Sequence, residues 1–154
     1  MTKWRQPMRI DVYPTTTIGF RPTLTAVGAY LAARGIVPSA SVFCETALAR
    51  EQLGSTSIGA GLMVPHYMAA GFTPARLVLV PIHADASWAG VDGEPIQLLL
   101  ITCFDPAMPQ PAFRDLLRAL ADPNNGARLI QTPDAELAAV AAKMMKMEDN
   151  NGLN

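Results

Sequence analysis

Two runs of apolar residues dominate the hydrophobic pattern of the chain. Residues 77–82 (LVLVPI) and 96–104 (IQLLLITCF) are short and rich in leucine or β-branched residues. Such runs are typical of strands that are buried on both faces of a sheet. Shorter apolar stretches at residues 8–12 and 62–64 are further candidate strands.

Apolar residues at helical spacing, with capping residues beside them, predict four helices between these strands. We expect helices at residues 23–34, from a cap at Ser39 or Ser41 to about residue 53, at residues 113–120, and from a cap at Thr132 towards the C-terminus. Because helices and strands interleave, the pattern favours a single-domain α/β fold. We expect a central mixed β-sheet with helices on both faces.

Composition narrows the class of protein. The chain has 154 residues, of which 50% are hydrophobic and 16% charged, so it is one ordinary globular domain and not a disordered chain. A formal net charge of −1 argues against a nucleic-acid binder. We see no apolar run long enough to span a membrane and no signal peptide, and we therefore expect a cytoplasmic protein. Cys44 and Cys103 sit apart in apolar stretches and are expected to be buried thiols.

The chemically unusual part of the chain is residues 52–84. This segment contains no carboxylate, and Arg76 is its only charged residue. It also holds four glycines, the run Ser55-Thr56-Ser57, and His66 directly after a proline. Glycine-rich backbone and hydroxyl groups can donate hydrogen bonds to an anion, and a neutral imidazole is a competent nucleophile near pH 7. The segment therefore suits a phosphate-handling site, although a histidine beside a strand is also commonly a structural residue.

Other motifs do not fit this segment. Gly59-Ala60-Gly61 lacks the third glycine of a dinucleotide fingerprint, because Val64 stands in its place. No lysine follows a glycine run as a P-loop requires, and no nearby partners would let the two histidines hold a metal ion. We expect His83 to be structural or partner-facing, and we expect no metal.

The segment from Arg50 to His66 (REQLGSTSIGAGLMVPH) resembles the active-site segment of the type-2 enzyme IIA domains. These domains belong to the bacterial phosphoenolpyruvate-dependent phosphotransferase system, in its mannitol/fructose and nitrogen-regulatory branches. The shared elements are an Arg-Glu pair, Ser-Thr, Ile-Gly, a second glycine, an apolar run and Pro-His. The likeness extends over about residues 23–142 and includes Asp92–Ile96 before the second long strand. It implies an IIA domain at residues 21–147, an N-terminal extension at 1–20 and a polar tail at 148–154.

The resemblance implies a phosphocarrier without cofactor. His66 would accept a phosphoryl group from HPr, or from a nitrogen-type HPr, with Arg50 stabilising the phosphate and Ser55 and Thr56 donating hydroxyl protons. The phosphoryl group would pass to an enzyme IIB in sugar transport, or its presence would regulate a transporter or kinase in nitrogen regulation. We expect partners to bind through three residues around His66: Met63, Tyr67 and Met68. Of these, we expect Tyr67 and Met68 to lie at the surface.

The chain departs from the family pattern at one position. Many members carry a second histidine after the later strand, which bonds the active one, whereas no histidine follows His83 here. The bond that orients His66 must then come from a hydroxyl, a backbone carbonyl or His83. The alternative hypothesis follows from this departure: a regulatory protein-binding module of the same fold, with weak or lost phosphotransfer.

Overall fold

A computed structural model describes residues 8–83 and 88–145 of the chain. The described residues form one mixed sheet and five helices. The strands are β1 Arg9–Val12, β2 Ser57–Gly59, β3 Leu62–Met63, β4 His66–Met68, β5 Arg76–Pro81 and β6 Leu98–Phe104. The helices are α1 Phe20–Ala33, α2 Ala40–Gln52, α3 Pro111–Leu120, α4 Pro123–Gln131 and α5 Asp134–Met144.

The sheet has the order β1-β5-β6-β3-β2, and β4 also pairs with β6. Strands β5 and β6 are antiparallel, whereas β1 is parallel to β5, and both β3 and β4 are parallel to β6. The two long apolar runs therefore form the centre of a mixed sheet, as predicted. The short strands β3 and β4 lie one after the other along the same edge of β6, with Pro65 between them.

Side chains alternate between the two faces of the sheet and build two apolar layers. On one face Val78, Leu99 and Cys103 pack with α1 and α2. On the other face Leu79 and Leu100 pack with apolar residues of α3, α4 and α5. The predicted α/β architecture with helices on both faces is confirmed, and both cysteines are buried free thiols.

The helix ends show which of the predicted capping residues cap a helix. The side-chain oxygen of Ser39 accepts the N–H of Val42 at 3.0 Å, so Ser39 caps α2 and Ser41 does not. The cap predicted at Thr132 is wrong. The hydroxyl of Thr132 instead donates to the carbonyl of Arg128 at 2.6 Å, because Thr132 ends helix α4, which the sequence did not lead us to expect. Helix α4 begins directly after Asp122, which caps it: the carboxylate of Asp122 accepts the N–H of Asn124 at 3.0 Å.

Part of the predicted N-terminal extension belongs to the sheet. Strand β1 pairs in parallel with β5, and Asp11 accepts a hydrogen bond from Arg76 at 2.7 Å in a largely buried ion pair. The one charge within residues 52–84 is therefore neutralised by the N-terminal strand. The domain boundary at residue 20 stays a prediction, and the polar tail at 148–154 lies outside the described residues. No helix in the described part of the chain is long and apolar enough to cross a membrane.

Candidate functional site

His66 begins strand β4 and lies opposite Thr102 of β6. The N–H of Thr102 donates to the carbonyl of Pro65 at 2.9 Å, which fixes the backbone directly before the histidine. The register places His66 on the same face of the sheet as Thr102 and Phe104, and the ring of Phe104 meets the imidazole edge-on at 5.8 Å. The imidazole is half-buried at the first residue of this short strand.

The bond that orients His66 comes from a hydroxyl. Oγ1 of Thr102 lies 3.0 Å from Nδ1 of His66 and 3.4 Å from the carbonyl oxygen of Pro65. Of the three sources left open by the sequence, the structure shows the hydroxyl at Nδ1, and His83 instead places its Nε2 3.0 Å from the carboxylate of Asp134. Since Nδ1 is engaged on the sheet side, Nε2 is the nitrogen of His66 that can meet an incoming group.

The surroundings of His66 favour the neutral imidazole. Burial lowers its pKa from the ordinary value of 6.5, and the positive charge of Arg50 lowers the pKa further. The backbone carbonyls of Pro65 and Val64 and the charge of Glu51 act in the opposite direction without reversing the shift. A neutral ring keeps the lone pair that a nucleophilic nitrogen needs.

Arg50 lies in the last turn of α2, where a cation is favoured by the partial negative charge of the helix end. Its Nη1 donates to the carbonyl of Gly54 at 2.9 Å. This bond holds the guanidinium over the turn that leads from α2 to β2. A guanidinium carries five N–H donors, so one bond to a carbonyl leaves others for an anion.

The Ser-Thr turn is organised by a carboxylate. Glu51 accepts both the N–H and the hydroxyl of Thr56, each at 2.7 Å, and Thr56 is buried. The single hydroxyl proton of Thr56 therefore points at Glu51, which corrects the prediction that it is donated to a phosphate. Ser55 is exposed, and its hydroxyl oxygen accepts the N–H of Ser57 at 3.1 Å. An accepting hydroxyl keeps its own proton for donation to a ligand.

A second turn fixes the approach to β3. Gly59, Ala60 and Gly61 all have positive φ, and at Ala60 the value of 55° lies in the region that L-residues rarely adopt. The carboxylate of Asp92 accepts the N–H of Ala60 at 2.9 Å, and this bond together with the N–H of Glu94 lowers the pKa of Asp92. The acidic turn before β6 thus holds the hairpin that leads to Pro65 and His66.

The three predicted partner-binding residues do not share one surface. Met63 is buried, and Tyr67 is buried with its ring stacked on Phe43 at 5.0 Å between centroids. The surface position predicted for Tyr67 is therefore wrong, because alternation along β4 turns Tyr67 to the face opposite His66. Met68 is half-buried on the same side as His66. Leu53, next to the Ser-Thr turn, is 85% exposed and was not among the residues predicted to bind partners.

Two further features bear on the chemistry near His66: the metal-ligating side chains and the buried thiol of Cys103. Within residues 8–83 and 88–145, no three histidine, cysteine or acidic side chains lie close enough to hold a metal ion. The burial of Cys103 raises the pKa of its thiol to about 12, so this cysteine is not a nucleophile. The groups that the structure places around His66 are a guanidinium, hydroxyl groups and backbone donors.

Comparison with known proteins identifies the class to which this arrangement belongs. A sequence model of the family described as "Phosphoenolpyruvate-dependent sugar phosphotransferase system, EIIA 2" matches residues 21–142. The chain belongs to this family. The match includes the whole segment from Arg50 to His66, so the family suggested by that segment is confirmed.

Relatives come from both branches of the system. The chain is 35% identical over 120 residues to the PTS system 2-O-alpha-mannosyl-D-glycerate-specific EIIABC component of Escherichia coli strain K12, covering 73% of this chain and 18% of that protein. It is 31% identical over 82 residues to the nitrogen regulatory protein of Pseudomonas aeruginosa strain PAO1, covering 53% of each. The chain thus spans about a fifth and about half of the lengths of these two relatives.

The EIIA fold is also found among solved structures. The nitrogen regulatory protein IIA-Ntr from Neisseria meningitidis superposes with a TM-score of 0.65, covering 86% of this chain and 92% of that chain. The identity is 23%, so this likeness shows the fold alone. The fold of that solved structure agrees with a single α/β domain built on a mixed sheet.

Two residues that organise this EIIA site were not singled out from the sequence. Glu51 belongs to the quoted Arg-Glu pair but had no role assigned, and its bond to Thr56 spans five positions of the chain. Thr102 had a usable signal in the sequence. It is the one hydroxyl in the strand LLLITCF, and a buried hydroxyl requires a partner.

Proposed function

We propose that this EIIA domain is a phosphocarrier that accepts a phosphoryl group on Nε2 of His66. The observation that carries the proposal is the pairing of Nδ1 with Thr102 at 3.0 Å, which leaves Nε2 for the reaction. The lowered pKa of His66 supports the same role because the neutral ring retains its lone pair. The family assignment supplies the reaction type, since EIIA domains are phosphotransfer components.

The reaction is an exchange between two imidazoles. The donor is a phosphohistidine of HPr or of a nitrogen-type HPr. Its P–N bond breaks as the lone pair of Nε2 forms a new P–N bond, and the donor nitrogen keeps the electron pair. The proton of His66 stays on Nδ1, hydrogen-bonded to the oxygen of Thr102. Because both bonds are of one type, the protein's main contribution is positioning and stabilisation of the transferred negative charge.

Arg50 and Ser55 stabilise that charge. Arg50 lies at the end of α2 with its guanidinium anchored on the carbonyl of Gly54, and its charge already acts on His66. Ser55 is exposed with a hydroxyl proton to donate. Glu51 and Thr56 serve as positioning residues, since their two bonds hold the turn that carries Ser55.

The next acceptor and the location follow from the family. In the sugar-transport branch the phosphoryl group passes to an enzyme IIB, and in the nitrogen branch its presence on His66 regulates a transporter or kinase. Relatives of both kinds match this chain, so each partner is part of the proposal. The reaction takes place in the cytoplasm. Exposed Leu53 and half-buried Met68 are the apolar contacts that we assign to the carrier protein.

The test is phosphorylation of the purified chain by phosphoenolpyruvate, enzyme I and HPr, followed by intact-mass spectrometry. We expect an acid-labile increase of one phosphoryl group on the wild type and none on His66→Ala. Running sugar-type and nitrogen-type HPr in parallel assigns the branch by the faster donor. If the folded wild type gains no phosphoryl group from either donor, the chain is a regulatory binding module that lacks the transfer reaction.

A further inference from the structure

The hydroxyl of Thr102 stands between two groups that both require a partner. Its side chain is 2% exposed, so its hydrogen bonds are confined to the protein. Oγ1 lies 3.0 Å from Nδ1 of His66 and 3.4 Å from the carbonyl oxygen of Pro65. A hydroxyl has one proton, so it can donate to only one of these two neighbours at a time.

The two possible arrangements differ in their consequences for the ring. If the hydroxyl donates to Nδ1, the proton of the neutral imidazole is on Nε2, and the two oxygens of Thr102 and Pro65 face each other with no proton between them. If the hydroxyl donates to the carbonyl of Pro65, its lone pair faces Nδ1 and accepts the Nδ1–H. Only the second arrangement makes both contacts attractive, and it leaves the lone pair on Nε2.

We infer that Thr102 is a positioning residue that fixes the tautomer of His66 through a relay from Nδ1–H to its hydroxyl and on to the carbonyl of Pro65. The pairing of β4 with β6 makes this relay rigid, because the N–H of Thr102 donates to the same carbonyl at 2.9 Å. Thr102 thereby supplies from within the sheet the orienting bond for which this chain has no second histidine. Its importance for phosphoryl uptake rests on the proposed function, whereas its effect on the tautomer does not.

The test on the unphosphorylated protein is nitrogen NMR of histidine-labelled samples above pH 7. We expect Nδ1–H in the wild type and in Thr102→Ser, which keeps the hydroxyl. In Thr102→Val, which has nearly the same shape, we expect a mixture with the Nε2–H form. Thr23→Val is the matched control, because Thr23 is another fully buried threonine whose hydroxyl donates to a carbonyl, that of Gly19, at 2.7 Å.

The second measurement is the initial rate of phosphoryl uptake from phospho-HPr. Loss of a histidine-orienting partner at metal sites costs about 10-fold to 100-fold, and we expect a fall of about 10-fold in Thr102→Val with recovery in Thr102→Ser. An Nε2–H tautomer in the wild type overturns the inference even if Thr102→Val fails to fold. An unchanged tautomer in a folded Thr102→Val overturns it as well.

The two measurements separate this inference from the proposed function. A wild type that takes no phosphoryl group, combined with a tautomer that changes in Thr102→Val, contradicts the phosphocarrier and leaves the relay standing. Normal uptake on His66 with no change of tautomer or rate in Thr102→Val supports the phosphocarrier and rejects the relay.

Discussion

The two histidines of this chain lie in regions built on different principles. His66 begins a strand inside the sheet, is half-buried, and bonds through Nδ1 to a neutral hydroxyl on the neighbouring strand. His83 follows β5 at the surface, and its Nε2 lies 3.0 Å from the carboxylate of Asp134 at the start of α5. The side chain of His83 is 53% exposed.

The two histidines differ in the features that the proposed phosphoryl transfer would use. At His66 the engaged nitrogen faces the sheet, and a guanidinium lies within electrostatic range. At His83 a carboxylate occupies one nitrogen and would repel an incoming phosphate. Under the proposed function, the neutral partner of His66 and the nearby charge of Arg50 favour His66 over His83 as the phosphoryl acceptor.

The largest expected effect comes from removing each ring in turn. His66→Gln should lose the acid-labile phosphoryl adduct completely, because glutamine has no nucleophilic nitrogen. His83→Gln should keep the wild-type adduct and the wild-type rate. Intact-mass spectrometry after incubation with the phosphotransferase carriers measures both, and an adduct that vanishes with His83 instead would reverse the comparison.

The next effect comes from Arg50, the cation whose charge acts on His66. Arg50→Gln should slow phosphoryl uptake by about 100-fold, as is typical when a donor to developing negative charge is lost. It should also raise the pKa of His66, because the charge of Arg50 lowers that pKa. Time-resolved phosphorylation assays give the rate of uptake, and NMR titration gives the pKa of His66.

Arg34→Gln is the matched control for this change. The guanidinium of Arg34 lies 3.8 Å from the centre of the Tyr30 ring, so its charge is engaged away from the candidate site. We expect a wild-type rate and a wild-type His66 pKa. If Arg50→Gln behaves like Arg34→Gln, phosphate stabilisation must come from other groups.

The pH dependence follows from the same pKa. The pKa of His66 is below its ordinary value because of burial and then Arg50, so the unfolded chain binds a proton at His66 more readily than the folded one. The stability from the neutral ring is fully present above pH 6.5 and is lost as the pH falls through the folded-state pKa. Denaturation midpoints between pH 7.5 and pH 5 should therefore decline less in His66→Gln than in the wild type. A steeper decline in the variant contradicts the lowered pKa.

The smallest effect is expected at the surface pair. Asp134→Asn should lower the free energy of unfolding by at most about 1 kcal/mol, because exposed ion pairs contribute little and Asp134 also favours the start of α5. It should not make His83 a phosphoryl acceptor. Glu136→Gln, in the same first turn, removes a helix-end charge without changing the contact to His83. The difference between the two variants in urea denaturation gives the contribution of the His83–Asp134 pair to the free energy of unfolding.

The central strands and most helices could be predicted because their signals are local. The runs that became β5 and β6 are continuous and apolar, and Ser39 stands directly before α2. Helix α4 was not predicted because its sequence PNNGARLIQ contains residues that favour turns. It is helical because it packs on the sheet: a Cβ at Gly126 would lie 2.6 Å from Leu62. Tertiary packing overrides weak local propensity there.

The candidate reactive groups could be proposed from the sequence, whereas their hydrogen-bond partners could not. Pro65-His66, the Arg-Glu pair and the Ser-Thr run are contiguous, so the family motif contains them. The bond from Thr102 crosses 36 positions of sequence and exists only because β4 pairs with β6 in one register. The burial of Tyr67 has the same origin, since that register fixes which of two neighbouring side chains faces the core.

The sequence by itself determined the fold class, the family and the segment that holds the family motif, because periodicity and contiguous motifs are properties of the chain read in order. The tertiary structure alone decided which nitrogen of His66 is engaged, that Thr56 bonds Glu51, and that Tyr67 belongs to the core. These depend on strand register and turn closure. Both bring together atoms whose separation along the chain carries no local signal.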